Sequence, residues 1–256
     1  MKSLLHARLL TLNIGLYQFR PGIITTIVTV LLLALMLWMG NWQWEKGKYR
    51  ESLEQTVATR KDLPPIDWAL LPSDPGDWKY LPVRIEGHFD TQRQFLHDNR
   101  IVNGRSGYHV YTPFITRSGE VLLVNRGWLP MGRTRQDLPD ISVSEQATTI
   151  EGLVDSLPQK GVVLADNLHQ GASWPMVLQY LDIEELGAMS GYPFQDKMLW
   201  MKPGTAHGYA RQYPAVNLQS AKNSGYAFQW YAMSLALLII YFVVNTKKRE
   251  SPANNR

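Results

Sequence analysis

The pattern of apolar residues divides the chain into two long uncharged runs and an alternating middle part. The first run extends from Pro21 to Trp44 and the second from Asn223 to Thr246, and neither contains a charged residue. A helix of about 20 apolar residues, at about 1.5 Å each, crosses a hydrocarbon core of about 30 Å. The pattern therefore predicts two membrane-spanning helices, at residues 23–44 and 223–246.

Between the two runs, apolar and polar residues alternate with a period of two. Val83-Arg84-Ile85-Glu86 has the alternation of a strand with one buried face. Turn pairs such as Ser118-Gly119 separate the predicted strands, and Ser118-Gly119 itself predicts a hairpin. Further strands are predicted at residues 94–98, 108–114, 120–125, 148–154 and 197–201. The expected fold of residues 45–222 is a mainly antiparallel β domain, shaped as a barrel or a sandwich.

One or two helices accompany these predicted strands. Asp182 can cap a helix that has Glu185 at its third position and that ends near Gly191. A short helix around Leu53 and Val57 is expected after the first span leaves the membrane at residues 45–48. Residues 203–220 are rich in glycine and proline and predict an irregular linker.

The distribution of charge predicts how the chain is oriented in the membrane. Of the 26 basic residues, three precede the first span and four follow the second, whereas the middle part holds 19 basic against 21 acidic residues. Basic residues flank spans on the cytoplasmic side. We therefore expect cytoplasmic segments at 1–22 and 247–256 and a periplasmic domain at 45–222 of an inner-membrane protein, not a nucleic-acid-binding protein. The sequence contains no cysteine, so the domain has no disulfide or thiolate metal site.

Motifs of enzymes do not appear in the sequence. There is no G-x-S-x-G elbow, no phosphate-binding loop and no H-E-x-x-H pair. A membrane-anchored periplasmic enzyme remains an alternative that would need groups such as His97, Asp98 and Ser106 to converge. A two-span sensor is a second alternative, and it would need a separate output partner.

The segment from Val121 to Pro130 is the most informative part of the predicted β domain. Asn125 can tie the end of the strand to its own backbone, Gly127 permits a bend that other residues avoid, and Trp128 can cover the junction. Arg126 has two interpretations: its guanidinium can bind a carboxylate or propionate of a ligand, or it can form an internal ion pair.

The start of the second span is crowded with aromatic residues, among them Tyr226 and Trp230. An interfacial aromatic belt explains them, and so does a surface for a partner or cofactor. Their helical spacing places Asn223, Tyr226, Ala227, Trp230 and Ser234 on one face. Gln229 lies on a different face, where its amide should seek a partner inside the membrane.

Several short motifs resemble the surfeit locus 1 family of cytochrome c oxidase assembly proteins. The most specific is Leu-Val-Asn-Arg-Gly-Trp, which ends at Trp128. The other motifs are Gly107-Tyr108, Thr112-Pro113-Phe114, Gly87-His88-Phe89-Asp90, Gly40-x-Trp42-Gln43 and Tyr226-Ala227-x-x-Trp230-Tyr231. They occur in the order of the family and cover nearly the whole chain.

The resemblance implies a membrane-bound biogenesis factor without catalysis. Such a protein helps to place haem a into subunit I of a haem-copper oxidase, with that subunit and haem a synthase as partners.

The family's proposed haem ligand is a histidine three residues before the tyrosine of the second span, where this chain has Asn223, and Lys46 stands in place of an arginine. An amide is a poor ligand for iron, so any iron ligand would come from a histidine such as His207 or from a partner. The candidate residues for haem are Asn223, Tyr226 and Trp230, at or near the family's motif, and His207 as a loop histidine. The candidate residues for partner contact or structure are the motif residues Trp42, Gln43, Gly107, Tyr108, Asn125, Arg126, Gly127 and Trp128, and also Gln229 for its amide inside the membrane.

Overall fold

The computed structural model describes residues 11–134, 136–158, 173–210 and 220–249. The chain divides into two compact units, of which the first contains residues 1–54 and 218–256 and the second contains residues 55–217. The helices and strands in chain order are β1 (Leu12–Ile14), β2 (Tyr17–Phe19), α1 (Ile23–Arg60), β3 (Ile66–Asp67), α2 (Pro75–Trp78), β4 (Pro82–Phe89), β5 (Phe95–Val102), β6 (Arg105–Thr116), β7 (Val121–Pro130), β8 (Thr148–Ser156), β9 (Met176–Leu178), α3 (Ile183–Ser190), β10 (Phe194–Met201), α4 (Ser220–Asn245) and β11 (Thr246–Lys248).

The first unit consists mainly of the helices α1 and α4, which are both long and apolar enough to cross a membrane. Most of their large apolar side chains are exposed, as is expected of surfaces that face lipid. A small antiparallel sheet of β1, β2 and β11 lies at the N-terminal end of α1 and the C-terminal end of α4. The sequence did not predict this sheet, because three-residue strands carry too few positions to show a period.

Helix α1 corrects one expectation, because the predicted short helix around Leu53 is the continuation of the first span. No proline interrupts the sequence from Ile23 to Arg60, and the helix runs through Gly47 without a break. A Cβ atom at Gly47 would lie 3.3 Å from the hydroxyl of Ser224. Gly47 is thus a position of close helix contact and not the end of a helix.

The second unit is built on a closed β barrel. Its strands follow the order β4-β8-β10-β7-β6, and an additional pairing of β4 with β6 closes the ring. Strand β3 extends the sheet beside β4, and β5 and β9 extend it beside β6. Most pairs are antiparallel, and the parallel pairs are β7 with β10, β3 with β4 and β5 with β9. The predicted β-rich domain between two candidate spans is therefore confirmed, and it is a barrel.

Gly87 marks the point at which the barrel closes. It pairs with Thr148 of β8 and also with Thr116 of β6, so β4 changes partner there. A Cβ atom at Gly87 would come within 2.1 Å of the carbonyl oxygen of Ile115. Only glycine permits this approach of the two strands.

Apolar side chains from all five barrel strands fill the interior, and two aromatic rings, those of Phe89 and Phe114, pack edge to face at 5.0 Å. The cluster consists of Trp78, Val83, Ile85, Phe89, Phe114, Leu122, Val124, Ile150, Val154, Leu199 and Met201. Alternate residues of each strand point inward, as the period of two predicts.

The predicted strands 94–98, 108–114, 120–125, 148–154 and 197–201 each overlap an observed strand, but the observed strands are longer; β7, for example, continues past the predicted end at Asn125 to Pro130. Helix α3 also forms as predicted, because the carboxylate of Asp182 accepts hydrogen bonds from the backbone nitrogens of Glu184 and Glu185, and Gly191 ends the helix with a positive φ. In the predicted linker, residues 203–210 form no helix and no strand beyond a single bridging residue. Residues 211–219 lie outside the described part of the chain. Helix α4 begins at Ser220, three residues before the predicted start.

Candidate functional site

The predicted turn after Asn125 is a β bulge inside a longer strand. Strand β7 continues to Pro130, and its pairing with β6 shifts by one residue between Asn125, opposite Tyr111, and Gly127, opposite Val110. The side-chain oxygen of Asn125 accepts a hydrogen bond of 2.9 Å from the backbone nitrogen of Gly127, whose φ is +118°. The predicted roles of Asn125 and Gly127 are thus present, in a bulge instead of a turn.

Arg126 is the extra residue of this bulge, and its side chain points into the end of the barrel. It is only 1% exposed, although it carries a charge. The guanidinium lies 4.9 Å from the ring centre of Tyr209 and 5.6 Å from that of Phe89. Its hydrogen bonds reach the carbonyl oxygens of His207, Ile141 and Ser142 and the side-chain oxygens of Gln94, Thr112 and Tyr209.

This environment makes Arg126 a hub between distant parts of the second unit. Burial lowers the pKa of the guanidinium, and the neighbouring Tyr209 acts in the opposite direction. Carbonyl, amide and hydroxyl oxygens surround its N–H groups, so the hydrogen bonds compensate for much of its lost hydration. A ligand contact does not fit this geometry, because a side chain that is 1% exposed offers no surface to a ligand. The oxygens named above are neutral, so these contacts are hydrogen bonds that organise the domain and not the internal ion pair of the second interpretation.

Trp128 covers the junction, as predicted, and its packing explains why residue 107 is a glycine. A Cβ atom at Gly107 would lie 2.6 Å from the indole ring of Trp128 and 2.1 Å from the carbonyl oxygen of Leu129. The indole nitrogen donates to the carbonyl oxygen of Arg100 at 2.8 Å. Tyr108, the next residue, is buried in a small apolar cluster with Leu96, Val110 and Ile141.

The loop that contains His207 is fastened to the same bulge. The carbonyl oxygen of His207 accepts the 2.7 Å hydrogen bond from Nε of Arg126, and the backbone nitrogen of Tyr209 donates to the carbonyl oxygen of Arg126. The His207 side chain is exposed, and its ring lies edge to face with Phe89 at 6.3 Å. The structure thus brings Gly107, Asn125, Arg126, Gly127, Trp128 and His207 together around one bulge.

Two histidines, His97 and His109, lie opposite each other on β5 and β6. The pKa of His97 is lowered to about 3 and that of His109 to about 4, mainly by burial and secondly by the charge of Arg100. Both imidazoles are therefore neutral near pH 7. The sequence analysis named His97 only for the alternative of an enzyme, and the pairing of His97 with His109 depends on the register of the two strands.

The hydrogen bonds of the imidazoles indicate which nitrogen carries the proton. Nε2 of His97 lies 3.2 Å from the carbonyl oxygen of Gln179, which can only accept, so Nε2 donates. The amide nitrogen of Asn125 lies 3.3 Å from Nδ1 of His109 and can only donate, so the proton of His109 is on Nε2. Ser106 lies on the opposite face of the β5–β6 pair, since it is an odd number of residues from His109. His97 and Ser106 therefore do not converge.

In the first unit, the polar ends of α1 and α4 are joined by side chains. Nη1 of Arg50 donates a 3.0 Å hydrogen bond to the side-chain oxygen of Asn223, which is 5% exposed. The carboxylate of Glu54 accepts hydrogen bonds from the backbone nitrogen and the hydroxyl of Ser220 at the first turn of α4. Sequence reasoning missed Arg50 and Glu54. Their spacing from Gly47, three and seven residues, would have placed them on one face of α1.

The predicted face of α4 is divided by this packing. Asn223, Ala227 and Ser234 are buried, whereas Tyr226 is 51% exposed and Trp230 is half-buried. Asn223 does not fit the role of an iron ligand, because an amide is a poor ligand and its oxygen is already bound to Arg50. Among the residues that the structure describes, no group of three histidine, aspartate or glutamate side chains could hold a metal ion.

The exposed surface of the helix pair carries the other residues that the sequence marked. Gln229 and Phe228 are exposed on α4, and Phe228 is 73% exposed. On α1, Trp42 is 46% exposed with the ammonium of Lys46 at 4.8 Å from its ring centre, and Gln43 is half-buried. Aromatic rings and two amides thus stand at the ends of the two apolar runs.

Comparison with known proteins identifies relatives along most of the chain. The SURF1 family matches residues 30–235. Surfeit locus protein 1 of Gallus gallus is 23% identical over 224 residues, which are 80% of this chain and 70% of that protein. A SURF1-like protein of Rickettsia bellii is 24% identical over 85% of this chain and 88% of its own length.

A further relative carries a descriptive name. The cytochrome oxidase assembly protein SHY1 of Saccharomyces cerevisiae is 31% identical over 117 residues, which are 43% of this chain and 30% of that protein. The family match extends from within the first candidate membrane helix, through the whole barrel, into the second. The chain therefore belongs to the SURF1 family.

Proposed function

We propose that this protein is a non-catalytic assembly factor for a haem-copper oxidase, and that it assists the insertion of haem a into subunit I. The observation that carries the proposal is the family match over residues 30–235, together with the name of the yeast relative. Its partners are subunit I and haem a synthase, and haem a is a transient cargo.

The exposed aromatic and amide groups of the helix pair are the proposed docking surface for subunit I. A membrane-embedded partner can contact exposed side chains where the apolar run of α1 ends and that of α4 begins. These side chains are Trp42 on α1 and Tyr226, Phe228 and Gln229 on α4. An exposed amide such as Gln229 near an apolar segment gains a hydrogen bond when a polar side chain of a neighbouring helix approaches. A photoreactive amino acid at position 229 should cross-link to subunit I, and one at Leu238, deeper in α4, serves as the matched control.

Haem a has two proposed contact points on this chain. The exposed imidazole of His207, in the second unit, is the candidate iron ligand, and the rings of Tyr226 and Trp230 on α4 are candidates for contact with the haem edge. A protein purified after co-expression with haem a synthase should have a Soret band.

Single substitutions distinguish the two contact points. The Soret band should be lost in His207→Ala and kept in His88→Ala, which removes another exposed histidine of the second unit. If the band persists in His207→Ala and disappears in Tyr226→Phe, the contact is on α4. If neither the wild type nor any variant has a Soret band, the proposed role is reduced to binding partner proteins.

The proposed location is the inner membrane, with both termini in the cytoplasm and the barrel in the periplasm. Because the chain contains no cysteine, single cysteines report topology cleanly. A membrane-impermeant maleimide should label Ser118→Cys in spheroplasts and should label Ser251→Cys only after lysis. The opposite pattern would reverse the orientation.

Deletion of the gene tests the assembly role itself. The deletion strain should retain normal total haem synthesis and should have less haem a in its oxidase, as measured by reduced-minus-oxidised spectra of membranes. A plasmid with the wild-type gene should restore the haem a signal. Full haem a occupancy in the deletion strain would refute the proposal.

A further inference from the structure

Strand β6 lies between two bulges near His109. On one side, β5 has an extra residue between His97 and Arg100, which lie opposite His109 and Gly107. On the other side, β7 has the bulge at Arg126. Bulges redirect side chains and are enriched beside functional sites. Two of them on either side of one short stretch of strand make this place distinct within the barrel.

One face of the sheet collects the side chains that the bulges redirect. Arg100 lies opposite Gly107, and His97 lies opposite His109. Since alternate residues of a strand share a face, Arg100, His97 and His109 stand on the same side of the sheet. The indole of Trp128 covers Gly107 on this side, and the ring of Trp200 meets that of His109 edge to face at 5.6 Å.

The guanidinium of Arg100 has donors to spare. Its Nε donates to the carbonyl oxygen of Asp98 at 3.1 Å, and the side chain is half-buried. No residue in the described ranges accepts a hydrogen bond from its two terminal nitrogens or forms an ion pair with it. A guanidinium has five N–H donors in a planar fork that matches an oxyanion.

The neighbouring imidazoles add a donor and carry no negative charge. His109 carries its proton on Nε2, because Nδ1 accepts from Asn125. The charge of Arg100 reaches both imidazoles and helps to keep them neutral by lowering their pKa values. The buried hydroxyl of Tyr111 also faces this cluster, and burial raises its pKa, so it stays protonated.

We propose that Arg100 and His109 form a binding site for an oxyanion, a carboxylate or a phosphate group of a small molecule. The terminal nitrogens of Arg100 hold the two oxygens of the anion, and Nε2 of His109 donates a further hydrogen bond. The rings of Trp128 and Trp200 border the site and provide apolar contact for the remainder of the ligand. This site lies in the second unit, where β5 extends the sheet beside β6, and does not depend on the oxidase assembly role.

The test uses the full-length protein in detergent with ¹³C-labelled histidine. Acetate and inorganic phosphate are titrated separately, and chloride at equal ionic strength provides the baseline. The resonance of His109, assigned with His109→Gln, should shift and saturate with acetate, with phosphate or with both. The anion that saturates at lower concentration identifies the chemical class of the ligand.

Arg105 provides a matched control for Arg100. It is exposed on the same hairpin and carries the same charge, so Arg105→Gln should bind the anion as the wild type does. Arg100→Gln should bind at least about tenfold more weakly, because a charge-assisted, bidentate contact is lost. Arg100→Lys keeps the charge without the planar fork and should also bind more weakly. If Arg100→Gln does not fold, Arg100→Lys decides the question.

Two results would overturn the proposal. One is the absence of a saturable shift of His109 with either anion beyond the chloride baseline. The other is equal affinity of the folded Arg100 variants and of Arg105→Gln, which would mean that the anion binds elsewhere.

Discussion

The guanidinium of Arg50 on α1 holds the side-chain oxygen of Asn223 on α4 at 3.0 Å. Asn223 is 5% exposed. A Cβ atom at Gly47 of α1 would lie 3.4 Å from the Cβ atom of Asn223, so the two helices are close at this point. The amide at position 223 therefore joins the two candidate spans. This contact gives the residue a structural role that a reading of α4 alone does not indicate.

Removing the amide should weaken the helix pair. We expect Asn223→Ala to lower the free energy of unfolding by about 1–3 kcal/mol, because a buried hydrogen bond to a charged group is lost. Asn223→Asp keeps an acceptor oxygen and should retain the stability of the wild type. The measurement is unfolding of the purified protein by SDS in mixed micelles. Ser224→Ala, at the exposed neighbouring position, is the control, and equal stability of the two alanine variants would contradict the role of Arg50.

Gly40 should tolerate no larger side chain. A Cβ atom there would lie 2.7 Å from the ring of Tyr231, so the helices must separate or the ring must move. We expect Gly40→Val to reduce the stability of the helix pair in the same SDS assay, because small residues allow close helix contact in membranes.

Gly225 provides the control for Gly40. A Cβ atom at Gly225 would meet no atom of the described residues within 4 Å. Gly225→Ala should therefore be neutral or stabilising by up to about 1 kcal/mol through helix propensity. A greater loss of stability in Gly225→Ala than in Gly40→Val would refute the packing argument.

Arg126 should not be replaceable by lysine. A lysine has three donors on one nitrogen and cannot reach the carbonyl oxygens of His207, Ile141 and Ser142 at once. We expect Arg126→Lys to lower the free energy of unfolding by about 3–5 kcal/mol, as is typical when a buried charge loses its partners. Thermal unfolding in detergent measures this. Arg84→Lys changes an exposed arginine paired with Glu151 and should cost less than about 1 kcal/mol, so similar losses in both variants would contradict the hub role.

The sequence predicted the roles of Asn125 and Gly127 in β7, although it placed them in a turn and not in a bulge, because their contacts are local. Asn125 bonds to the backbone two residues later, and Gly127 supplies the unusual φ, so both roles follow from adjacent residue types. The partners of Arg126 could not be predicted in this way. Gln94 and His207 lie 32 and 81 residues away, and only the register of the barrel brings them to the guanidinium.

The same distinction applies to α4. Helical spacing correctly placed Asn223, Ala227 and Ser234 on one side, and all three are buried. It could not indicate which element covers that side, because this depends on the packing of α1. A pair of glycines seven residues apart on α1, Gly40 and Gly47, was the available signal, since small residues mark close helix contacts in membranes.

The two buried imidazoles should make the stability of the barrel depend on pH. The pKa values in the folded state are about 3 for His97 and about 4 for His109, below the ordinary value of 6.5. The unfolded chain therefore binds more protons than the folded chain between about pH 6.5 and pH 4. The stability that the neutral imidazoles contribute is fully present above pH 6.5 and is lost as the pH falls toward the folded values. Arg100 is the charged side chain that acts on both imidazoles, and its positive charge deepens the loss. The ring of Tyr111 lies 6.0 Å from that of His97.

Thermal midpoints of the purified protein between pH 7.5 and pH 4.5 measure this dependence. The midpoint of the wild type should fall steeply below pH 6.5. His109→Gln removes one titrating group while it keeps a side-chain hydrogen-bond partner for Asn125, so its midpoint should fall less over the same interval. His88→Gln removes an exposed histidine and should follow the wild-type curve. If His109→Gln and His88→Gln show the same slope, protonation of the buried pair does not cause the acid sensitivity, and other groups of the barrel must titrate instead.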